Sequence, residues 1–342
     1  MASLNARNRL MKPFVANSKI VFTLPLGGKI RRGTLVLQGQ IVVSGVTTSG
    51  TVVGEGGPVN LAQRVYVVAT PSGGSRYPGG KIVDVDPRSL LRFAVRQRSG
   101  KFFADQGGST LGGGANGTYP IYLAIPIYWA DPTQTNPIGS GLNTDIDPGT
   151  GLPVYASVQV ELDTGSLASC FTGNNGVVDY TGLTVQWVDD RVAVTGDTAI
   201  VYQESHQALI AATNKRMLDE AMPQDGNFLS WDIFAEQGAA KTLSDGLLNR
   251  IVVSGPTLDF DKYAQDIRQT ALDDEWYDPS LTATGMYPID FTDGANLANS
   301  VPASGLQIYF DVNNVSGSNL DDLLFFTRRA FVPAPAPSKS GN

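Results

Sequence analysis

Carboxylates two residues apart on a loop can share a hard cation such as Ca²⁺. The sequence has three such couplets: Asp84/Asp86, Asp145/Asp147 and Asp259/Asp261. Asp86 precedes Pro87 and reads as a helix cap, and Asp259 or Asp261 reads as the cap of a second helix. That leaves Asp145 and Asp147, in a Gly/Pro-rich loop, as the metal candidate. A structural Ca²⁺ there is the one cofactor to consider. Basic chemistry is concentrated at the start: Arg7, Arg9, Lys12, Lys19, Lys29, Arg31 and Arg32 precede the first acidic residue, Glu55. Of these, Arg7, Arg9 and Lys12 are the candidates for contact with phosphate, as lipid headgroups or nucleic acid.

Other combinations exclude more than they offer. The single Cys170 and single His206 cannot supply a zinc site with the usual ligands, nor can Cys170 form an internal disulfide. Ser205 beside His206 suggests a nucleophile and base, but sequence neighbours on a helix do not face one another. "GGSTLGGGANG" looks like a phosphate-binding loop but lacks the Lys-Ser/Thr ending and is followed by a strand pattern. A pair of glycosidase carboxylates is assembled only in three dimensions and stays open at this level.

The elements that must position these groups are mostly strands. The 342 residues include 38 Gly and 20 Pro, with 17% charged and 42% hydrophobic, which fits short strands joined by turns and long loops. No run of 18 apolar residues occurs, and the first residues lack the apolar core of a secretory signal, which argues against export by that route. The net charge of −7 argues against general nucleic-acid binding. "VYASVQVEL" and "LQIYFDV" alternate strictly, as strands with one buried face do. "DPRSLLRFAVRQ", "DFDKYAQDIRQTAL" and "HQALIAATNKRMLDEAM" read as isolated helices. Long loops are expected at "VTTSGTVVGEGGPVN", "TPSGGSRYPGG", "QGGSTLGGGANG" and "DPTQTNPIGSGLNTDIDPGTGLP".

Ile-Val-Val-Ser-Gly occurs twice, with Ile41 and Ile251 separated by 210 residues. "GTYPI" ending at Ile121 and "GMYPI" ending at Ile289 are 168 apart, and the strands opening at Val154 and Leu306 are 152 apart. "NARNRLM" and "NKRMLDEAM", with Phe22/Phe234 and Gly28/Gly238, extend the comparison upstream. Constant order with shrinking separation describes a duplicated β-sandwich whose first copy has longer loops. The fold class expected is all-β: two tandem eight-stranded jelly-roll sandwiches with a few short helices. The expected divisions are 1–17, a basic segment; 18–182, a first jelly roll; 183–228, a connector with strands and a helix; 229–332, a second jelly roll; and 333–342, a proline-rich arm.

On "NARNRLMK" leading into "SKIVFTLPLGGKIRRGTLVLQGQI", the duplicated sandwich and the late helix in each half, the chain resembles the double jelly-roll major capsid proteins of tailless icosahedral bacteriophages with an internal membrane. The resemblance implies a non-enzymatic structural subunit. Homotrimers of pseudo-hexagonal outline would tile a virion shell assembled in the host cytoplasm. Neighbouring trimers, minor capsid and vertex proteins and inner-membrane lipids would be partners, and no nucleic-acid sequence would be read. Arg7, Arg9 and Lys12 would face the membrane, and the four long loops would form an outer tower. Tyr128, Trp129, Trp187, Trp231, Trp276 and Tyr277 are interface or core aromatics. The alternatives are a virion carbohydrate-binding or host-attachment protein, and a polysaccharide-degrading enzyme of all-β type.

Overall fold

Alternation in the sequence becomes a sandwich wherever one face of a strand finds a partner sheet. In Tyr155–Thr164, Val158, Val160 and Leu162 are buried, while the residues between them are partly exposed. The computed structural model describes residues 6–48, 50–52, 57–96, 115–129, 141–194, 199–239, 241–273, 284–292, 299–317 and 320–333.

The first sandwich is built from eight principal strands: Ala6–Pro13, Lys19–Thr23, Lys29–Ser44, Ala62–Pro71, Gly80–Val85, Gly117–Tyr128, Tyr155–Thr164 and Leu183–Val192. One sheet has the order first, eighth, third, sixth. The other has the order second, seventh, fourth, fifth. This is the jelly-roll order, and all of these pairings are antiparallel. The second sandwich repeats it with Ile200–Leu209, Asn214–Leu218, Asn227–Gln237, Leu248–Ser254, Phe260–Tyr263, Met286–Asp290, Gln307–Val312 and Asp322–Phe331. Its sheets again run first, eighth, third, sixth and second, seventh, fourth, fifth.

A helix follows the fifth strand in both: α1 (Pro87–Arg96) in the first and, after the short α2 (Leu167–Cys170), α3 (Ala264–Asp273) in the second. Asp86 caps α1 as expected, its Oδ1 accepting the Arg88 N–H at 2.8 Å. Neither Asp259 nor Asp261 takes that part for α3. The chain passes directly from strand to helix at Tyr263, and the Asp261 carboxylate is held by Arg250 on the neighbouring strand.

Two divisions move. Ala6–Pro13 is the first strand of the sandwich and not a separate basic segment, because it pairs along its length with Leu183–Val192. Leu183, Val185 and Trp187 are fully buried in the first core, so the expected connector loses its opening strand to the first sandwich. The helix expected in "HQALIAATNKRMLDEAM" is absent: Ile200–Leu209 and Asn214–Leu218 are strands, held by Asp322–Phe331 and Gln307–Val312. Tertiary pairing overrides local helical spacing there. The Ile-Val-Val-Ser-Gly copies are not equivalent, since Ile41 lies in a third strand and Ile251 in a fourth. "GTYPI" and "GMYPI" do correspond, both leading the sixth strands.

Each sandwich has its own apolar core. One sheet of the second is buried on both faces: Ile233, Leu323 and Phe325 point into its own core, while Phe234, Leu324 and Phe326 pack against the first sandwich. That explains why "DLLFFTRRAF" reads as a continuous apolar run without alternation. The two sandwiches are also joined by backbone. The fifth strand of the first lies parallel to the first strand of the second, with Val83 opposite Gln203 and Asp84 opposite Glu204.

The long loops do not gather at one end. Val46 donates its N–H to Asn116 Oδ1 and Thr47 to Asn175 Oδ1, which places the loops after the third and before the sixth strand together. At the opposite end Arg76 bonds Asp147, and Gly27 donates to the Thr144 carbonyl. Antiparallel strands reverse direction at every turn, so successive loops alternate between ends, and a single tower of four loops is ruled out.

Candidate functional site

The charged groups with the most elaborate surroundings lie in the seam between the sandwiches, and of these the sequence points only to Asp84 and Asp86, as a couplet and a helix cap. Glu236, on the third strand of the second sandwich, is fully buried. Its carboxylate accepts from Arg88 Nη1 at 3.0 Å and from Arg92 Nη1 at 2.6 Å, both on α1. Arg88 also bonds Asp86, at 2.7 Å. Burial pulls the Arg88 guanidinium down, but the charges of Asp86 and Glu236 outweigh it and hold it above its ordinary value. Asp322, directly across the strand pair from Glu236, is buried too. Burial first and the Glu236 charge second push its carboxyl up to about 7, against the pull of Lys241 at 2.5 Å. Aromatic contacts complete the seam: the Phe93 and Phe326 rings are 5.5 Å apart, and Arg92 lies 5.1 Å from the Phe234 ring centre. Isolated charges inside apolar runs, such as Glu236 in "WDIFAE" and the Arg pair in "FFTRRAF", were the available signal.

A second bond set straddles the same seam. Arg64 bonds Asp84 at 2.6 Å and reaches across to donate to the Ser205 carbonyl at 2.7 Å. Beside it, within the second sandwich, Arg329 pairs with Glu204 at 2.7 Å and with Asp225. Arg88, Arg92 and Glu236 are the groups a rigid joint requires: buried, paired and drawn from both halves.

Asp145 and Asp147 are brought close, but with different partners. Asp147 is fully buried; Arg76 grips it with Nε at 2.8 Å and Nη2 at 2.5 Å, and the Gly149 N–H and Thr150 hydroxyl donate at 2.9 Å. Those Arg76 bonds foremost, against the opposing effect of burial, lower its carboxyl to about 2. Asp145 accepts the Gly28 N–H at 3.1 Å. The Arg76 guanidinium thus supplies the positive charge that a cation would bring, and the pair clasps one loop to another. Among the described residues no group of three or more ligating side chains converges.

Arg9 and Lys12 do not form one patch. On a strand they point to opposite faces of the sheet. Arg9 donates to Gln186 Oε1 at 2.9 Å on the outer face, whereas the Lys12 ammonium lies 5.8 Å from the Phe22 ring. Arg7 belongs to the same strand, and its side chain is outside the described set. Ser205 and His206, on a strand and not a helix, also diverge. The Ser205 hydroxyl accepts the Asp86 N–H at 2.7 Å, and His206 Nε2 meets Asp219 at 2.8 Å. Cys170 is buried, which pushes its thiol up to about 12 and leaves it unreactive. Tyr128, Trp129, Trp187 and Trp231 are core residues, each 1% exposed or less. Trp276 and Tyr277, most of "QGGSTLGGGANG" and the arm from residue 334 lie outside the described residues.

No protein family and no curated protein matches the sequence. Solved structures do match. The STIV MCP aligns over 98% of this chain and 99% of its own, with a TM-score of 0.67 and 11% identity. A chain in the atomic structure of Sulfolobus Turreted Icosahedral Virus aligns over 96% and 91%, at 0.63 and 12%. The major capsid protein P2 from bacteriophage PM2 aligns over 98% and 100%, at 0.55 and 13%. Identities this low speak for fold alone, and they do so end to end: this is the double jelly-roll fold of viral major capsid proteins.

Proposed function

We propose that the chain is the major structural subunit of an icosahedral virion shell, working as a homotrimer whose six sandwiches give a pseudo-hexagonal tile. The observation that carries this is the pair of identically ordered jelly rolls, locked by a buried charged seam and alike in extent to whole capsid proteins. A tile needs stiffness more than a cleft, and the polar groups with the richest surroundings are spent on stiffness. Nothing in the geometry or in the comparisons favours the sugar-binding alternative.

The end carrying Ala6 and Phe331 faces inward, toward a membrane, in this reading. Leu26, Ile146 and Leu152 are exposed in loops at that end, beside the basic first strand. The loops following Ser44 and preceding Gly117 face outward. Neighbouring trimers, minor capsid and vertex proteins are the further partners, with assembly in the host cytoplasm, where a lone buried thiol is at no disadvantage. Electron microscopy of the purified protein tests the proposal. Six-cornered three-copy particles are expected; single-copy particles that bind sugar would overturn it.

A further inference from the structure

Lysine and carboxylate side chains pair in several places, and one pair is set apart by its surroundings. Lys19 and Lys81 meet Glu161 and Asp84 at 2.7 and 3.0 Å, and those carboxylates are 18% and 24% exposed. Lys241 meets Asp322 at 2.5 Å, and there the carboxylate has no exposed surface. Water at an exposed pair solvates both charges and keeps them as ions. A pair sealed from water has no such support: its two desolvated charges are costly, while an amide made from them carries none.

The surrounding chain holds the two groups together. Lys241 lies in the turn after the third strand of the second sandwich, with φ at 53°, a left-handed conformation that lysine seldom adopts. Its N–H donates to the Gly238 carbonyl at 3.1 Å, and its ammonium donates to the Leu320 carbonyl at 2.9 Å. Asp321 fastens the other side of the turn, accepting the Gly238, Val315 and Ser316 N–H groups at 2.9, 2.7 and 2.8 Å. Asp322 follows at the head of the eighth strand, opposite Glu236, with which it shares a hydrogen bond. Arg88 and Arg92 fix the Glu236 carboxylate from α1. Asp322 Oδ2 faces Lys241, but Oδ1 is buried without a donor in the fold, so a proton placed between it and Glu236 would satisfy it. A carboxyl already pushed up to about 7 accepts that proton readily, and a protonated carboxyl is the form an amine attacks.

We propose that Lys241 and Asp322 condense to an isopeptide bond, with Glu236 as proton carrier, so that the turn after the third strand is stapled to the head of the eighth. The pair reacts in its neutral form, one proton having passed from the ammonium to the carboxylate. The Lys241 nitrogen attacks Asp322 Cγ; a C–N bond forms and a C–O bond breaks. The oxygen leaves as water, carrying two of the three ammonium protons, and Glu236 holds one of them in transit and ends unchanged. One positive and one negative charge become a neutral amide and a water molecule, and no oxidant or other reactant is consumed. The bond joins residues 81 apart in sequence, and so restrains the unfolded chain as a long-range cross-link does. It does not depend on the shell reading.

Mass spectrometry of the full chain, folded and then denatured, tests this. The wild type is expected to be lighter than its sequence by one water molecule, and its digest to contain a branched peptide joining the stretch around Lys241 to the stretch around Asp322. Lys241→Arg keeps the charge but replaces the amine, and Glu236→Gln keeps the shape but removes the proton carrier; both are expected at full mass. A wild type at full mass after prolonged incubation in the folded state overturns the proposal. So does a missing water that maps to any other residues, or one that persists in Lys241→Arg. The wild-type digest decides the matter by itself, and every one of these results leaves the shell reading where it stood.

Discussion

α1 and α3 occupy the same place in two copies of one sandwich, and their surroundings differ in kind. α1 carries Arg88 and Arg92 into a fully buried carboxylate, Glu236, whereas at the corresponding turns α3 has the exposed Gln265 and Gln269. A buried ion pair is costly to open, because each partner left behind is an uncompensated charge. It suits a joint that forms once, as the chain folds. Neutral amides lose little in water, which suits a face that the chain itself leaves uncovered. The duplicated fold thus supplies one position twice, with chemistry matched to a buried joint in one place and to an open side in the other.

Substitutions can break that comparison from its strong side first. Glu236→Ala removes the buried carboxylate that Arg88 and Arg92 share, leaving Arg88 with Asp86, and a loss of about 3–5 kcal/mol in unfolding free energy is expected from denaturant titration. Gly33→Ala tests the packing of the first core. A Cβ there would lie 1.9 Å from Trp187 Cη2, whose ring is pinned by its N–H bond to Asp189 at 3.0 Å. Overpacking of that order costs about 1–3 kcal/mol, read as a lowered thermal midpoint. Arg64→Ala removes bonds across the seam and should cost about 1–2 kcal/mol. Arg250, its counterpart on the fourth strand of the second sandwich, bonds only the exposed Asp261 carboxylate, and Arg250→Ala should leave the midpoint unmoved. Equal effects from the two would erase the distinction between the buried seam and the open side.

The seam also has a pH signature. In chains not yet joined at Lys241, Asp322 titrates near 3.8 unfolded and about 7 folded, so between those values the native state holds the extra proton. Stability therefore falls as pH rises from about 4 to 7, and Asp322→Asn should flatten that slope. Asp147 acts oppositely. With its folded carboxyl lowered to about 2, its contribution is complete above about 4 and is lost as pH falls toward 2.

How much of this was legible depends on how each strand is buried. Tyr155–Thr164 and Gln307–Val312 have one wet face and announced themselves by alternation. Asp86-Pro87 marked the start of α1 through cap chemistry that is entirely local. Ala6–Pro13 was hidden because it is an edge strand, and its basic residues dominate its short pattern. Asn214–Leu218, nearly all exposed, offers no apolar period at all and was read as helix. The twin Ile-Val-Val-Ser-Gly runs misled because many strands need the same β-branched residues; their match reflects shared burial and not shared position. The seam was the least legible part, since which charges meet across two domains depends on topology that no local pattern encodes.

Electron cryo-microscopy of the assembled protein at side-chain resolution would show the seam directly. The expected map has Arg88 and Arg92 of α1 enclosed on Glu236 between the two sandwiches of one chain, with Gln265 and Gln269 of α3 clear of their own chain. A map in which the sandwiches part at α1, or in which α3 is enclosed by its own chain as α1 is, would contradict the idea that one position is a buried joint in the first sandwich and an open side in the second.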